Sequence, residues 1–549
     1  MEIPDLGYEP TIPEVLHRAV REWGDRDFIV TPDRRMTYGE AEERSRRLAK
    51  RMIAAGMGKG TRVGLYFTYG QEWVIAWLAA SRIGALVMPL ATTYRPTEIR
   101  KVLRIGDIDT LITARTVLGR DMAQMLEDSV PGLAEATGSP LYLPDAPSLR
   151  SVWITGSVPE RKTGGTDREW ATPIELEAEP DVDPAIDDAL LTAMEAEVVP
   201  ADLAQVTYTS GSSADPKGVV HTHATVLRGT YWFGAMRGAG ARGEAEGETK
   251  IFCAFPFFWI GGTLILGAAI QAGLTVVCIE RFEPGAALDI VEAEQASMVA
   301  GWPTLMQAMR DHATFPDRKL PEIAGLTMGP TDVALTAVPV PGIPGHRGMS
   351  ETLGNFMGVE VRCVDPETGE LRPDMAETQR RRGRMPGTPE RSRPDELEGE
   401  LWLRGHGLMH GYYKKEREEV FDVNGWFHTG DRVFIHEGRP YFVGRFTEMV
   451  KSQGANVAPR EVELFLETYD EVLYAFVVGM PHPERGEEVT AVLVAASGRE
   501  IDPADLQSRA REQISSYKVP TRIEIWPEED VPWLGSGKPD KLAIKERLQ

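Results

Sequence analysis

RVGLYFTYGQEWVIAWLAASRIGALVMPL, running from Arg62 to Leu90, reads as strand, helix and strand. Residues 62–67 form a short apolar run, 71–83 space their apolar residues at the helical period, and 85–90 are apolar again. That is one βαβ unit. The alternation continues outward with a helix near 96–105, a strand at 110–113, and strands at 206–209, 274–279 and 298–301. Strands alternating with helices predict an α/β fold: mainly parallel sheets flanked by helices, with ligands received at the strand ends.

The pattern changes near residue 445. Beyond it, apolar runs at 475–479, 490–495 and 521–526 alternate with two helical patterns, which predicts a small α+β domain over 446–549 after a large one over 1–445. Two stretches interrupt the large domain. Residues 155–200 are polar and acidic, and 371–398, containing QRRRGRMPGTPERSRPDE, are charged and proline-rich. Neither has the apolar surface for a core of its own, so both are expected as surface insertions or linkers. Arg380, Arg381, Arg382 and Arg384 read as a solvated loop, with an anion patch as the alternative.

Composition narrows the function classes. A formal charge of −23 argues against nucleic acid or an anionic membrane as the main partner, because a polyanion would be repelled over most of the surface. An anionic ligand must then meet a local cluster of positive groups. Cys253, Cys278 and Cys363 stand in apolar stretches without CxxC pairing, which reads as buried reduced thiols and a cytoplasmic location. MEIPDLGYEP has neither a basic start nor an apolar run, and the most apolar stretch, 251–279, is broken by Pro256, Gly261, Gly262, Gly267 and Gly273. Neither a leader nor a membrane span is expected.

The strand ending at Tyr208 runs into YTSGSSADPKGVV, residues Tyr208 to Val220. Hydroxyls and bare backbone N–H groups at a strand end, followed by a lysine, suit a phosphate; a polar turn is the plain alternative. The glycine, lysine and hydroxyl spacing of a Walker loop is absent.

The loop resembles the phosphate loop of the adenylate-forming superfamily, which includes acyl-CoA synthetases, nonribosomal-peptide adenylation domains and firefly luciferase. Ser212 and Ser213 stand where that family has threonines, and Ala214 where it has glycine. Further elements follow in the family's order: GMSET from Gly348, FHTGD from Phe427, GRFTEMVKSQGANVAPREVE from Gly444 and PWLGSGKPDK from Pro532. The chain is most similar to an acyl- or aryl-CoA ligase. The resemblance implies a large adenylation domain, a small mobile C-terminal domain, and a reaction in which ATP converts a carboxylic acid to an acyl-adenylate before transfer to CoA.

It also implies roles. Thr209, Ser210, Gly211, Ser212, Ser213 and Lys217 hold the β- and γ-phosphates of ATP, Ser350 contacts the α-phosphate, and Glu351 binds Mg²⁺. Asp431 accepts the ribose hydroxyls beside Arg445, and Lys538 spans the acyl carboxylate and the α-phosphate. Arg347, next to Gly348, replaces the aromatic that stacks on adenine, a face that a guanidinium also stacks on. Thr447 occupies the hinge position with Glu448 next to it, and a β-branched residue there stiffens the hinge or displaces it onto Glu448.

FPFFWIGG, from Phe255, resembles the segment lining the acyl channel, with Trp259 where histidine is common. Phe258, Trp259, Gly301 and Met349 are the pocket candidates; an indole at 259 shortens the channel and favours an aryl or medium-length acid, unless the aromatics are simply core. Lys451, Gly454, Tyr517 and Lys518 resemble the elements that receive CoA. Gln453, where many CoA ligases have glycine, leaves an amine, a carrier-protein thiol or nitrite as alternative acceptors. A non-catalytic nucleotide sensor is the alternative from another class. The sequence leaves the oligomeric state open, a homodimer included.

Overall fold

The computed structural model describes residues 5–156, 168–176, 182–209, 216–240, 249–301, 303–320, 324–326, 337–338, 355–356, 358–366, 368–374, 397–445, 450–452, 455–457, 459–532, 539 and 541–549. The chain divides into two compact units. The first comprises Met1–Thr92, Arg100–Thr207 and Gly218–Val443; the second comprises Thr93–Ile99, Tyr208–Lys217 and Gly444–Gln549.

Within the first unit the opening stretch is strand Arg62–Tyr66, helix Gln71–Arg82 and strand Leu86–Pro89, the two strands being parallel in register Val63↔Val87. The helix has no polar face to offer: of its residues only Glu72 is not buried. It is covered by the strands on one side and by helices Ile12–Trp23 and Tyr38–Ala54 on the other. Its last residue, Arg82, is buried with its guanidinium against Glu42 (2.8 Å) and Glu195, so a charge at the end of a buried helix meets two carboxylates instead of water.

The strand order of the main sheet is Gly411–Tyr412, Lys217–Thr222, Leu203–Thr209, Leu86–Pro89, Arg62–Tyr66, Thr110–Thr113, Ser151–Thr155 and Ala171–Ile174. Every recorded pair from Leu203–Thr209 to Ala171–Ile174 is parallel. A second sheet of six strands is also parallel except for its edge pair Asp27–Val30 and Arg35–Thr37. A third sheet carries antiparallel strands Val359–Val364, Glu398–Gly405 and Phe427–His436, with Arg439–Arg445 beyond them.

The expectation of an insertion over 155–200 is corrected. Residues Ala171–Ile174 are the edge strand of the main sheet, and Asp188–Ala196 is a helix beside Tyr38–Ala54 and Gln71–Arg82. Few apolar residues suffice there because each is placed: Trp170 is 1% exposed and Leu191 2%, and Glu195 joins the Arg82 cluster. The stretch 375–396 lies outside the described residues.

In the second unit, strands Val450–Ser452, Ala455–Val457, Val472–His482, Gly486–Ala495 and Arg522–Ile525 form one sheet, with helices Pro459–Leu466, Pro503–Gln513 and Lys541–Leu548. The unit begins at Gly444, two residues before the expected boundary, and includes two short segments from earlier in the chain.

Candidate active site

Strand Leu203–Thr209 leads to the phosphate-loop candidate, and the sheet's next strand, Lys217–Thr222, leaves it. Gln205 is fully buried; its amide donates to Thr207 Oγ1 (3.0 Å) and Thr263 Oγ1 (2.8 Å), satisfying a polar side chain inside the core. Lys217 is half-buried at the start of its strand. Ser210, Gly211, Ser212, Ser213, Arg347, Gly348, Met349, Ser350, Glu351, Thr447, Glu448, Gly454 and Lys538 lie outside the described residues, as do the side chains of Thr209 and Arg445.

The FHTGD element is described in full. In the pairing of Glu398–Gly405 with Phe427–His436, Glu400 faces Arg432 and Trp402 faces His428, so Leu401 alone stands opposite Thr429, Gly430 and Asp431. The element is a β-bulge. Gly430 takes φ +71°, a left-handed conformation open to glycine at little cost. The donors that leave the ladder are satisfied locally. Thr429 Oγ1 donates to Leu401 O (2.8 Å), the Asp431 N–H donates to Thr429 Oγ1 (3.0 Å), and the Gly430 N–H donates to Glu400 Oε1 (2.9 Å). Asp431 is 2% exposed. A bulge thus delivers a buried carboxylate at a fixed point of the sheet.

Glu400 carries no motif and escapes sequence reasoning; its alternation with Leu401 and Leu403 marks it only as off the core face. Its second oxygen accepts the Trp402 indole N–H (2.9 Å), and the Trp402 ring stacks on His428 with centroids 3.9 Å apart at 12°.

At the acyl-channel candidate, Phe257 and Phe258 are buried while Trp259 is half-buried. Trp259 is the N-cap of helix Ile260–Ala272 and meets Phe258 edge-on at 5.4 Å. A Cβ on Gly262 would lie 2.4 Å from Phe257 Cα, so glycine lets the helix begin tightly against the Phe257 backbone. Gly301 is also closely met: a Cβ there would lie 3.1 Å from Ala254 Cβ.

In the second unit Lys451 is exposed on strand Val450–Ser452, its backbone N–H donating to Glu487 Oε2 (2.7 Å). Lys518 has a different setting from the one the resemblance implies. Lys518 is buried, and its ammonium lies 2.9 Å from both Glu98 Oε1 and Glu461 Oε1. Burial works against its charge, but the two carboxylates outweigh it and hold its pKa well above the lysine range. In this arrangement Lys518 faces carboxylates, not a ligand phosphate. Burial likewise raises the Tyr517 hydroxyl, which stays protonated at neutral pH.

Cys253, Cys278 and Cys363 are free and buried, with burial pushing Cys253 and Cys363 up to about 12. No helix among the described residues is long and apolar enough to cross a membrane, and no cluster of three or more metal-ligating side chains occurs among them. A polar cleft of about 340 Å³ that includes Arg34, Glu72, Arg115 and Glu175 contains none of the expected site residues.

Comparison with known proteins places the chain. The family model for AMP-binding enzymes matches residues 16–413, and the model for the AMP-binding enzyme C-terminal domain matches 461–538. A methyl-dioxo-octahydroindenyl-propanoyl:CoA ligase of Mycobacterium tuberculosis is 29% identical, over 98% of this chain and 98% of its own length. A feruloyl-CoA synthase of Amycolatopsis is 28% identical, over 93% of this chain and 94% of its own. Among solved structures, the amide bond synthetase McbA of Marinactinospora thermotolerans superposes with a TM-score of 0.70 at 23% identity, covering 97% of this chain and 99% of that one, a likeness of fold.

Proposed function

The chain belongs to the AMP-binding enzyme family, and from that premise we propose an AMP-forming acid–CoA ligase in which Asp431 holds the nucleotide's ribose. In the first half-reaction a carboxylate oxygen of the acid bonds to the α-phosphorus of ATP, the bond to the bridging oxygen breaks, and pyrophosphate leaves. In the second, the thiol sulfur of CoA bonds to the acyl carbon, the bond to AMP oxygen breaks, and the thiol proton goes to solvent or a base. Acid, ATP and CoA become acyl-CoA, AMP and pyrophosphate.

The bulge carries this reading. The carboxylate that we assign to the ribose diol is buried, its own N–H is held by the Thr429 hydroxyl, and the two preceding residues are tied to the neighbouring strand. The backbone of the bulge is thus held without nucleotide, which lowers the cost of ordering it on binding.

The remaining roles are assigned by the matching motifs. Thr209, Ser210, Gly211, Ser212, Ser213 and Lys217 grip the phosphates, with Arg347 and Gly348 at the adenine and Arg445 beside the ribose. Ser350 meets the α-phosphate, and Lys538 neutralises charge between it and the acid. CoA ligases of this kind use magnesium with ATP, and Glu351 is the proposed ligand. Lys451, Gly454 and Tyr517 are the proposed CoA contacts, and the hinge lies at Thr447 and Glu448.

The acid is proposed to carry a ring or a medium-length chain. Half-buried Trp259 at a tight helix start supports this, as do relatives whose names specify a feruloyl and a fused-ring propanoyl group. Free buried thiols are compatible with the reducing cytoplasm, where we place the enzyme.

Lys538→Ala tests the assignment. Adenylate formation should slow by orders of magnitude, roughly 10²-fold or more, with ATP binding retained. An unchanged rate of acid-dependent pyrophosphate exchange would remove Lys538 from the chemistry.

A further inference from the structure

We propose that Glu400 is a positioning residue for nucleotide recognition, setting the Gly430–Asp431 peptide so that the Asp431 carboxylate stands ready for the ribose. The inference rests on reading Asp431 as the ribose ligand. It concerns a residue that touches no substrate and acts through a backbone N–H.

A strand pair normally supplies acceptors for its own N–H groups, rung by rung. Between Glu400 and Trp402 this supply fails, because Leu401 alone stands opposite Thr429, Gly430 and Asp431. The Leu401 carbonyl is taken by the Thr429 hydroxyl, and the Asp431 N–H by the same hydroxyl as acceptor. The Gly430 N–H therefore needs a side chain, and Glu400 Oε1 reaches it at 2.9 Å. A charged acceptor makes the stronger kind of hydrogen bond, and this one falls on the residue whose φ of +71° aims the next one.

Glu400 is itself held. Its Oε2 accepts the Trp402 indole N–H at 2.9 Å, and Trp402 is stacked on His428, whose Nε2 lies 3.5 Å from Asp422 Oδ2. Both carboxylate oxygens thus have donors, one on the bulge and one on the carboxylate's own strand. On the other side, strand Val359–Val364 pairs with the same stretch, Val364 facing Glu400 and Arg362 facing Trp402, so the backbone carrying the carboxylate is tied on both edges. A glutamate is the right length; an aspartate is one methylene shorter, and losing roughly 1.5 Å of reach takes a 2.9 Å contact beyond hydrogen-bonding distance.

The test is nucleotide preference in the full-length protein. The ratio of kcat/KM for ATP to that for 2′,3′-dideoxy-ATP, in acid-dependent adenylate formation, reports the ribose contact alone. Wild type should prefer ATP strongly. Glu400→Asp should lower that preference about tenfold, through the KM for ATP, with little change for the dideoxy nucleotide. Glu400→Gln keeps an oxygen for the Gly430 N–H and should rescue most of it, and thermal unfolding of both variants separates recognition from folding. If wild type prefers ATP and Glu400→Asp keeps the full preference, Glu400 does not position the site. If Glu400→Asp slows both nucleotides alike, or does not fold while Glu400→Gln loses the preference as well, the residue is structural or acts otherwise. If wild type itself does not distinguish the nucleotides, the ribose role of Asp431 fails first.

Discussion

Lys518 Nζ lies 2.9 Å from Glu98 Oε1 and 2.9 Å from Glu461 Oε1, one buried ammonium balancing two carboxylates. Glu98 also accepts the Ser515 hydroxyl at 2.7 Å and the Arg95 N–H at 2.9 Å, so its position is set from several directions. Removing the cation leaves two carboxylates close together in a buried site. Lys518→Ala should destabilise the protein by about 3–5 kcal/mol while barely moving the KM for CoA below the unfolding range. A large rise in that KM with unchanged thermal stability would restore Lys518 to the CoA site.

His223 gives stability a pH dependence. The Ile12 N–H donates to its Nδ1 at 3.1 Å, which requires an unprotonated nitrogen there, and burial pushes its pKa down from 6.5 to about 4. Between those values the unfolded chain binds a proton that the fold refuses, so stability falls as pH falls, and above 6.5 the residue contributes no slope. The full loss approaches about 3 kcal/mol. Urea unfolding at pH 7 and pH 5 checks this, and His223→Gln should reduce the difference between them.

Gly262→Ala should act on the acid and not on the nucleotide. Its Cβ would sit 2.4 Å from Phe257 Cα and 2.5 Å from the Pro256 carbonyl oxygen, both backbone atoms. The helix start must shift, at a cost of about 1–3 kcal/mol. Kinetics should show a raised KM for the acid with that for ATP unchanged; equal effects on both would separate this turn from the acyl channel.

Trp259→Gly should widen the range of chain lengths accepted. A half-buried indole at the N-cap of Ile260–Ala272 limits the space beside Phe258. Competition among acids of increasing length measures the change, and a fixed profile would mean that the indole is core.

Elements with a strong period were legible. The helix expected at 96–105 is Pro96–Ile105, and the strand expected at 110–113 is Thr110–Thr113. What escaped reading was structure built from few residues in special places. The edge strand Ala171–Ile174 lies in an acidic stretch of poor core composition, and its placement comes from pairing with Ser151–Thr155. FHTGD was legible as a motif through its resemblance, whereas the bulge that orders its residues depends on Leu401 and Glu400 of another strand. Lys518 resembled a ligand contact in its own tetrapeptide, and nothing in that tetrapeptide reveals Glu98, 420 residues away.

The most direct measurement is mass spectrometry of the products after incubating the protein with ATP, Mg²⁺ and a panel of aryl and aliphatic acids, with and without CoA. Acid-dependent AMP and pyrophosphate, with an acyl-CoA of a ring-bearing or medium-length acid when CoA is present, is the predicted result. An acyl-adenylate that accumulates and never yields a thioester would contradict the CoA acceptor, and no acid-dependent pyrophosphate release from any member of the panel would contradict the ligase itself.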